Sequence, residues 1–229
     1  MKNIKFIVIC IMAAFCSTTM SAQGVKIYKS DNTVIEIPYN ELDSIVGVES
    51  FKAEMEFVDL GLSVKWASMN VGASSPEEYG DYFAWGEIEG KDEYTDDNSI
   101  TTGSRMDDIA GNKKYDAAAA ILGDGARLPT KAEIEELLNN CTTVWTTQNG
   151  IEGRLVTSKK NGNSIFMPAA GIRNGKKTNF LGMFGSYWSS TPEQGANNLN
   201  AFYLDFNTSY FDWNVYNRYH GNSVRAVHK

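Results

Sequence analysis

The sequence predicts an α+β domain, from the order of its segments and from the periodicity within them. Short strand-like runs come first, two helical segments follow, and the rest of the chain is rich in strand-like runs separated by Asn/Gly turns. Segregated strands and helices of this kind are typical of helices packed on an antiparallel sheet. Residues 201–206 also alternate as a strand does, with Phe202, Leu204 and Phe206 on one side and Tyr203 and Asp205 on the other, which we expect to face outward.

The N-terminal third divides into a small leader and the start of the main domain. Residues 25–48 contain two β-type runs around a turn signal at residues 30–32, which predicts a β-hairpin. With its linker, this leader spans residues 23–56, and the main domain spans residues 57–229. Residues 57–67 predict two short strands broken by a glycine, and residues 79–85 a further strand or sheet edge. Residues 87–111 are polar and acidic without periodicity, which is typical of a long surface loop.

Two helices follow this loop. The first is predicted over residues 114–122 and ends at Gly123, a common helix stop. The second begins after Thr130, because Thr130 and Glu133 have the spacing of a capping box. Its predicted buried face consists of Ala132, Ile134, Leu137 and Leu138. The predicted strands after it are residues 153–157, 164–167, 186–190, 201–206 and 223–227.

The first 22 residues have the pattern of a secretory signal peptide. Lys2 and Lys5 precede an apolar run over residues 6–15, and small residues lead to a cleavage site after Ala22. That run is shorter than the ~20 apolar residues that a spanning helix needs, so we expect no direct membrane span. The sequence therefore predicts an exported protein, located at the cell surface, in the periplasm or outside the cell.

Charge excludes two classes of partner, and the cysteine content excludes one kind of cross-link. Removing the signal peptide takes away two of 21 basic residues and none of 28 acidic residues, so the net charge becomes 19 minus 28, or −9. Such an acidic chain is a poor partner for nucleic acid or an anionic membrane surface. Cys141 becomes the only cysteine, which excludes an intramolecular disulfide.

Four motifs, in this order, resemble a large bacterial family. They are VDLGLSVKWASMNVGASSPEEYGDYFAWGE at residues 58–87, RLPTKAEIEEL at 127–137, YWSST at 187–191 and GNSVRAV at 221–227. From residue 57 onward the chain is similar to secreted Bacteroides-type proteins related to the Fibrobacter succinogenes major paralogous domain. The resemblance implies a C-type-lectin-like fold, with two helices, a twisted antiparallel sheet and termini close together. Some relatives are also similar to the variable proteins of diversity-generating retroelements, in which a C-terminal segment is diversified at adenine-containing codons.

Residues 187–222 have the composition of a recognition surface. They contain seven asparagines, five of the eleven tyrosines, two tryptophans and no lysine. Tyrosine and tryptophan offer large, rigid contact areas, and asparagine and serine offer adaptable hydrogen bonds, so we expect a protein or glycan ligand. A plain antiparallel sheet would account for Trp188, Phe202, Leu204 and Phe206 as core, but not for so many asparagines. The residues expected to contact the ligand, most of them in a loop over residues 212–220, are Tyr203, Asp205, Asp212, Trp213, Asn214, Tyr216, Asn217, Tyr219 and His220.

The sequence predicts no catalytic residue, no metal site and no cofactor. The fold that the resemblance implies is related to that of formylglycine-generating enzymes, and a catalyst of that kind is an alternative function; the active type, however, uses a cysteine pair that Cys141 alone cannot supply. His220 and His228 are the only histidines and have no recognised zinc spacing. The acidic residues between 87 and 98 lack the spacing of a calcium loop. Arg225 is predicted to form a structural salt bridge. A structural alternative is a subunit of a surface assembly that docks to its partner through the hairpin of residues 25–48.

Overall fold

The computed structural model describes residues 6–7, 24–29, 34–41, 55–195 and 197–229. The chain divides into two compact units, Met1–Phe51 and Lys52–Lys229. Within the described residues, none of the helices is both long enough and apolar enough to cross a membrane.

The first unit is a three-stranded antiparallel sheet in the order β1-β2-β3. Its strands are β1 (Phe6–Ile7), β2 (Gly24–Lys29) and β3 (Val34–Pro38), followed by a 3-10 turn at Tyr39–Glu41. β2 and β3 pair in antiparallel register, as the predicted hairpin requires. The predicted turn at residues 30–32, the remainder of the hairpin after residue 41, and most of the predicted signal peptide and linker lie outside the described residues.

The second unit combines two helices with small antiparallel sheets, which confirms the α+β class. Its helices are α1 (Ala117–Ile121) and α2 (Lys131–Asn140). Its strands are β4 (Phe57–Val58), β5 (Lys65–Ala67), β6 (Cys141–Gln148), β7 (Ile151–Ser158), β8 (Ser164–Pro168), β9 (Ile172–Asn174), β10 (Lys177–Asn179), β11 (Gly185–Pro192), β12 (Asn200–Phe206), β13 (Phe211–Asn217) and β14 (Val227–His228). The sheet orders are β14-β5-β4, β6-β7-β8, β10-β9 and β11-β12-β13. Because β14 pairs with β5, the beginning and the end of this unit share one sheet.

The start of α2 follows from its local sequence. The Thr130 hydroxyl accepts the Glu133 N–H at 3.2 Å, and the Glu133 carboxylate accepts the Thr130 N–H at 2.8 Å. This is the predicted capping box, which satisfies amides that have no partner inside the helix. α2 buries Ile134 and Leu137, as its apolar spacing predicts, and Leu138 is half-buried; Ala132, also predicted to be buried, is exposed.

Two hydrophobic clusters enclose the sheet β11-β12-β13. The first cluster includes Ile134 and Leu137 of α2 together with Leu204 and Phe206 of β12. The second cluster joins other parts of the chain to the opposite face of the same sheet; its members include Phe83, Trp85, Trp188, Tyr203, Val224 and Ala226. Because both faces of β12 are covered, little of this strand remains accessible.

Two predicted strands differ from the structure, and one predicted loop is more buried than expected. Residues 79–85 form only an isolated bridge, between Phe83 and Asn222, and residues 223–227 form a strand only from Val227 onward. Residues 87–111 form a loop, as predicted, with a 3-10 turn at Asp96–Asn98 and an isolated bridge between Tyr94 and Gly175. This loop is more than a solvated surface segment, since it buries Tyr94, Thr101 and Ile109.

Candidate functional site

The β12–β13 hairpin positions most of the predicted ligand residues. Its register runs from Asn200↔Asn217 to Phe206↔Phe211 and places side chains on two faces. One face, here called the Asp205 face, carries Tyr203, Asp205, Asp212, Asn214 and Tyr216. The other, here called the Trp213 face, carries Phe202, Leu204, Trp213 and Val215.

Two predictions about these residues are wrong. The expected loop over residues 212–220 is largely strand, because β13 extends from Phe211 to Asn217. Tyr203 and Asp205 do not face outward, since each is only 6% exposed. The second hydrophobic cluster, which includes Trp188 and Val224, covers this end of their face. The alternation of residues therefore assigned the side chains of β12 to the correct faces. It did not predict that both faces would be buried.

Asp205 is the centre of a buried hydrogen-bond network. Its Oδ2 accepts the hydroxyl of Tyr203 at 3.0 Å and that of Tyr210 at 2.8 Å, and the Asn214 side chain also donates to the carboxylate. Burial raises the pKa of the Asp205 carboxyl, although these donors act in the opposite direction. Burial, followed by the hydrogen bond to Asp205, raises the pKa of Tyr210 to about 12. The network fixes the orientation of the tyrosines and of Asn214.

A row of aromatic rings runs along the Asp205 face to the turn after β13. Ring centroids are separated by 6.0 Å between Trp188 and Tyr203 and by 5.8 Å between Tyr203 and Tyr216. His220 lies 4.2 Å from both Tyr216 and Tyr219. His220 is buried and Tyr219 is half-buried, and burial lowers the pKa of the His220 imidazole. The row thus connects a rigid interior to a partly accessible end.

The Trp213 face forms one side of an open cleft. Trp213 is 37% exposed and contacts Phe202 edge-on, with centroids 5.4 Å apart. The Lys131 ammonium lies 3.9 Å from the Trp213 ring centroid and forms an ion pair with Glu135. Further along α2, a cleft of about 470 Å³ lies between the helix and β13, lined by Glu135, Leu138, Asn139, Phe211, Asp212 and Trp213.

Arg218 anchors the end of β13, a role that the sequence analysis missed. Its fully buried guanidinium donates to the carbonyl oxygens of Asn200 at 3.0 Å, Thr101 at 3.1 Å and Ser104 at 2.8 Å. It also lies over the Trp85 ring, 4.4 Å from the centroid. Burial lowers the pKa of Arg218. The available signal was that Arg218 is the only lysine or arginine between residues 187 and 222.

The predicted salt bridge of Arg225 is wrong. Its buried guanidinium donates instead to the Asn70 side-chain oxygen at 2.9 Å and to the carbonyl oxygens of Ala67 at 3.0 Å and Phe166 at 2.9 Å. Burial lowers the pKa of Arg225 to about 10. Arg225 therefore connects three segments of the core through neutral acceptors.

The remaining reactive groups are dispersed. Cys141 is a buried free thiol at the end of α2, and burial raises its pKa. His228 lies in the sheet β14-β5-β4, away from His220. Among the residues that the structure describes, no group of three or more His, Cys, Asp or Glu side chains is arranged to hold a metal ion.

Taken together, the exposed part of the candidate site is a narrow strip. Asp212, Trp213 and Asn214 are exposed in succession on β13, while Tyr216, Asn217 and Tyr219 are half-buried beyond them. Tyr203, Asp205 and His220 support this strip from beneath. Comparisons of the chain with protein families, with characterised proteins and with solved structures gave no match.

Proposed function

We propose that this is an exported recognition protein that binds a protein or glycan ligand through residues 210–220. The observation that carries this proposal is the run of exposed side chains Asp212, Trp213 and Asn214 on a strand fixed by pairing along its whole length. Asp212 and Asn214 project from one face of β13 and Trp213 from the other, so a ligand that follows this exposed edge strand meets polar groups and a flat aromatic ring. Because the strand is already ordered, binding loses little conformational entropy.

The aromatic row supplies the second half of the proposed surface. Tyr216 and Tyr219 flank His220 at a centroid distance of 4.2 Å each, so their rings cannot reorient freely. Asp205 holds Tyr203 and Tyr210 from beneath. A surface of this kind presents a ligand with preset contacts rather than flexible ones.

The family assignment is part of the same proposal. The second unit has two helices, antiparallel sheets and ends that share the sheet β14-β5-β4, which supports a C-type-lectin-like domain. Exposed positions on a strand whose backbone is held by Arg218 and by β12 would also tolerate sequence change. This supports the retroelement-diversified proteins as relatives.

Glycan and protein arrays probed with matched variants test the proposal. Trp213→Ala and Tyr219→Ala should each abolish or strongly weaken the binding seen with the wild type. Val144→Ala is the control, because Val144 is 61% exposed on β6, in a different sheet. Thermal unfolding of each variant separates loss of contact from loss of fold. Equal binding by all four proteins would refute this site.

A further inference from the structure

The outer edge of β13 has backbone groups available for another strand. β13 is the last strand in the order β11-β12-β13, and among the described residues the backbone bond to its outer edge is that from the His220 N–H to the Asn217 carbonyl, at the C-terminal end of the strand. The Trp213 N–H is bonded to Asp212 Oδ1 at 2.8 Å, and the Val215 N–H to Asn214 Oδ1 at 2.9 Å. Since N–H groups alternate in direction along a strand, both of these point away from β12.

Those two side-chain bonds are local and exchangeable. Each joins an amide to the side chain of the residue just before it, so rotation of one side chain frees the amide. A carbonyl oxygen of an added strand can replace each side-chain oxygen. Asp212 and Asn214 therefore occupy the edge N–H groups in the free protein but can be displaced by another strand.

The cleft beside this edge gives an added strand a place for its side chains. Glu135, Leu138 and Asn139 lie on one face of α2, because their spacing of three and four residues follows the helical repeat. Phe211 and Trp213 form the facing side, and the space between measures about 470 Å³. Side chains alternate along a strand, so every second residue of an added strand would enter this cleft.

Charge specifies the chemistry of the occupant. Two acidic residues, Glu135 and Asp212, are among those that line the cleft. Lys131 pairs with Glu135, whereas Asp212 forms no ion pair with any residue in the described part of the chain. The exposed residue Asp212 lines the cleft together with apolar surface from Leu138, Phe211 and Trp213. A lysine or arginine side chain matches both, with an apolar stem and a cationic end.

We propose that the outer edge of β13 binds an extended peptide segment by β-strand addition, with a lysine or arginine of the peptide in the cleft against α2. This inference rests on the proposed recognition function and names its partner as an unpaired, basic strand of another protein. The peptide backbone bonds to Trp213 and Val215. The cleft binds the lysine or arginine side chain of the peptide.

A random octapeptide library displayed on phage provides the probe, and Val215→Pro provides the decisive variant. The Val215 N–H faces outward, so proline there leaves the pairing with β12 intact while removing an edge donor. Val215→Ala, which keeps the N–H, is the matched control. Peptides selected on the wild type should be enriched in lysine or arginine, and a synthetic copy should bind Val215→Pro about tenfold or more weakly while retaining affinity for Val215→Ala.

Two further measurements examine the backbone and the charge separately. N-methylation of alternate peptide amides should abolish binding to the unchanged protein. Asp212→Asn keeps an acceptor for the Trp213 N–H and removes only the charge, so it should weaken the basic peptide about two- to fivefold. Failure to enrich any peptide, or equal affinity of the proline and alanine variants, would overturn strand addition. Array binding that needs Trp213 and Tyr219 but survives Val215→Pro would overturn it while leaving the proposed function standing.

Discussion

The Asp116 carboxylate lies beneath the start of both helices and provides a sharp test of the fold that positions the site. It is fully buried, and its Oδ2 accepts the N–H groups of Gly111 at 2.8 Å and Leu128 at 2.9 Å. Its Oδ1 accepts the Ala119 N–H at 3.1 Å and so caps α1. Leu128 leads directly into the capping box of α2, so this one side chain connects the two helices.

Asp116→Asn should destabilise the protein by about 3 kcal/mol. Asparagine has one acceptor oxygen, so its NH₂ group must face either the amides of Gly111 and Leu128 or that of Ala119, all of which are donors. Each lost hydrogen bond to a charged acceptor costs roughly 1.5–3 kcal/mol, and the bonds that remain are to a neutral acceptor and are weaker. Removal of a buried charge offsets part of that loss. For a unit of this size, 1 kcal/mol corresponds to about 2–4 °C, so the Tm should fall by roughly 6–12 °C.

Urea and thermal unfolding followed by circular dichroism measure this effect. Asp97→Asn is the control, because Asp97 is exposed and its substitution should change stability by less than about 0.5 kcal/mol. If Asp116→Asn were as stable as the control, the three amide bonds would not stabilise the charged carboxylate. The role of Asp116 in connecting the helices would then be refuted.

Three further predictions concern the buried network, the residue that follows α2 and the start of α2. Burial raises the pKa of Asp205 in the folded protein, so the protonated carboxyl stabilises the fold. This contribution to the free energy of unfolding is complete below the unfolded pKa of about 3.9 and is lost as the pH rises through the folded pKa. In urea titrations, the stability of Asp205→Asn relative to wild type should therefore rise with pH over that window; a flat difference would contradict this. The Cys141 thiol should react with a thiol reagent only on unfolding, and Cys141→Ala should leave ligand binding unchanged; fast labelling of the native protein would show that the thiol is accessible. Thr130→Ala should lower the free energy of unfolding by about 1 kcal/mol whereas Thr130→Ser should not, and equal losses would exclude the cap as the cause.

Elements governed by neighbouring residues were predictable from the sequence. The capping box needs only Thr130 and Glu133, three residues apart, and α2 begins where their spacing predicts. The strand at β12 follows from alternation within residues 201–206. In both cases the responsible contacts are local, so a short window of sequence contains them.

Burial of the site residues was not predictable in the same way. Alternation assigns Tyr203 and Asp205 to one face, but what covers that face comes from Trp188 and Val224, on other strands or segments. Polar composition likewise indicated a loop over residues 212–220, because an edge strand that is solvated on one side accommodates the same residues. The partners of Arg225 are mostly backbone carbonyl oxygens, which every sequence contains, so no pattern of carboxylates could reveal them.

The burial of β12 on both faces changes how substitutions in residues 203–220 should be interpreted. Asp205 and His220 are buried, so a change at either would act on a ligand by displacing Tyr216, Tyr210 or Tyr219. Such changes should alter stability and binding together. Asp212 and Trp213 are exposed and contribute little to the core, so changes there should alter binding with little change in stability. The relation between stability and affinity across the segment therefore distinguishes residues that support the surface from residues that contact the ligand, even before the ligand is identified.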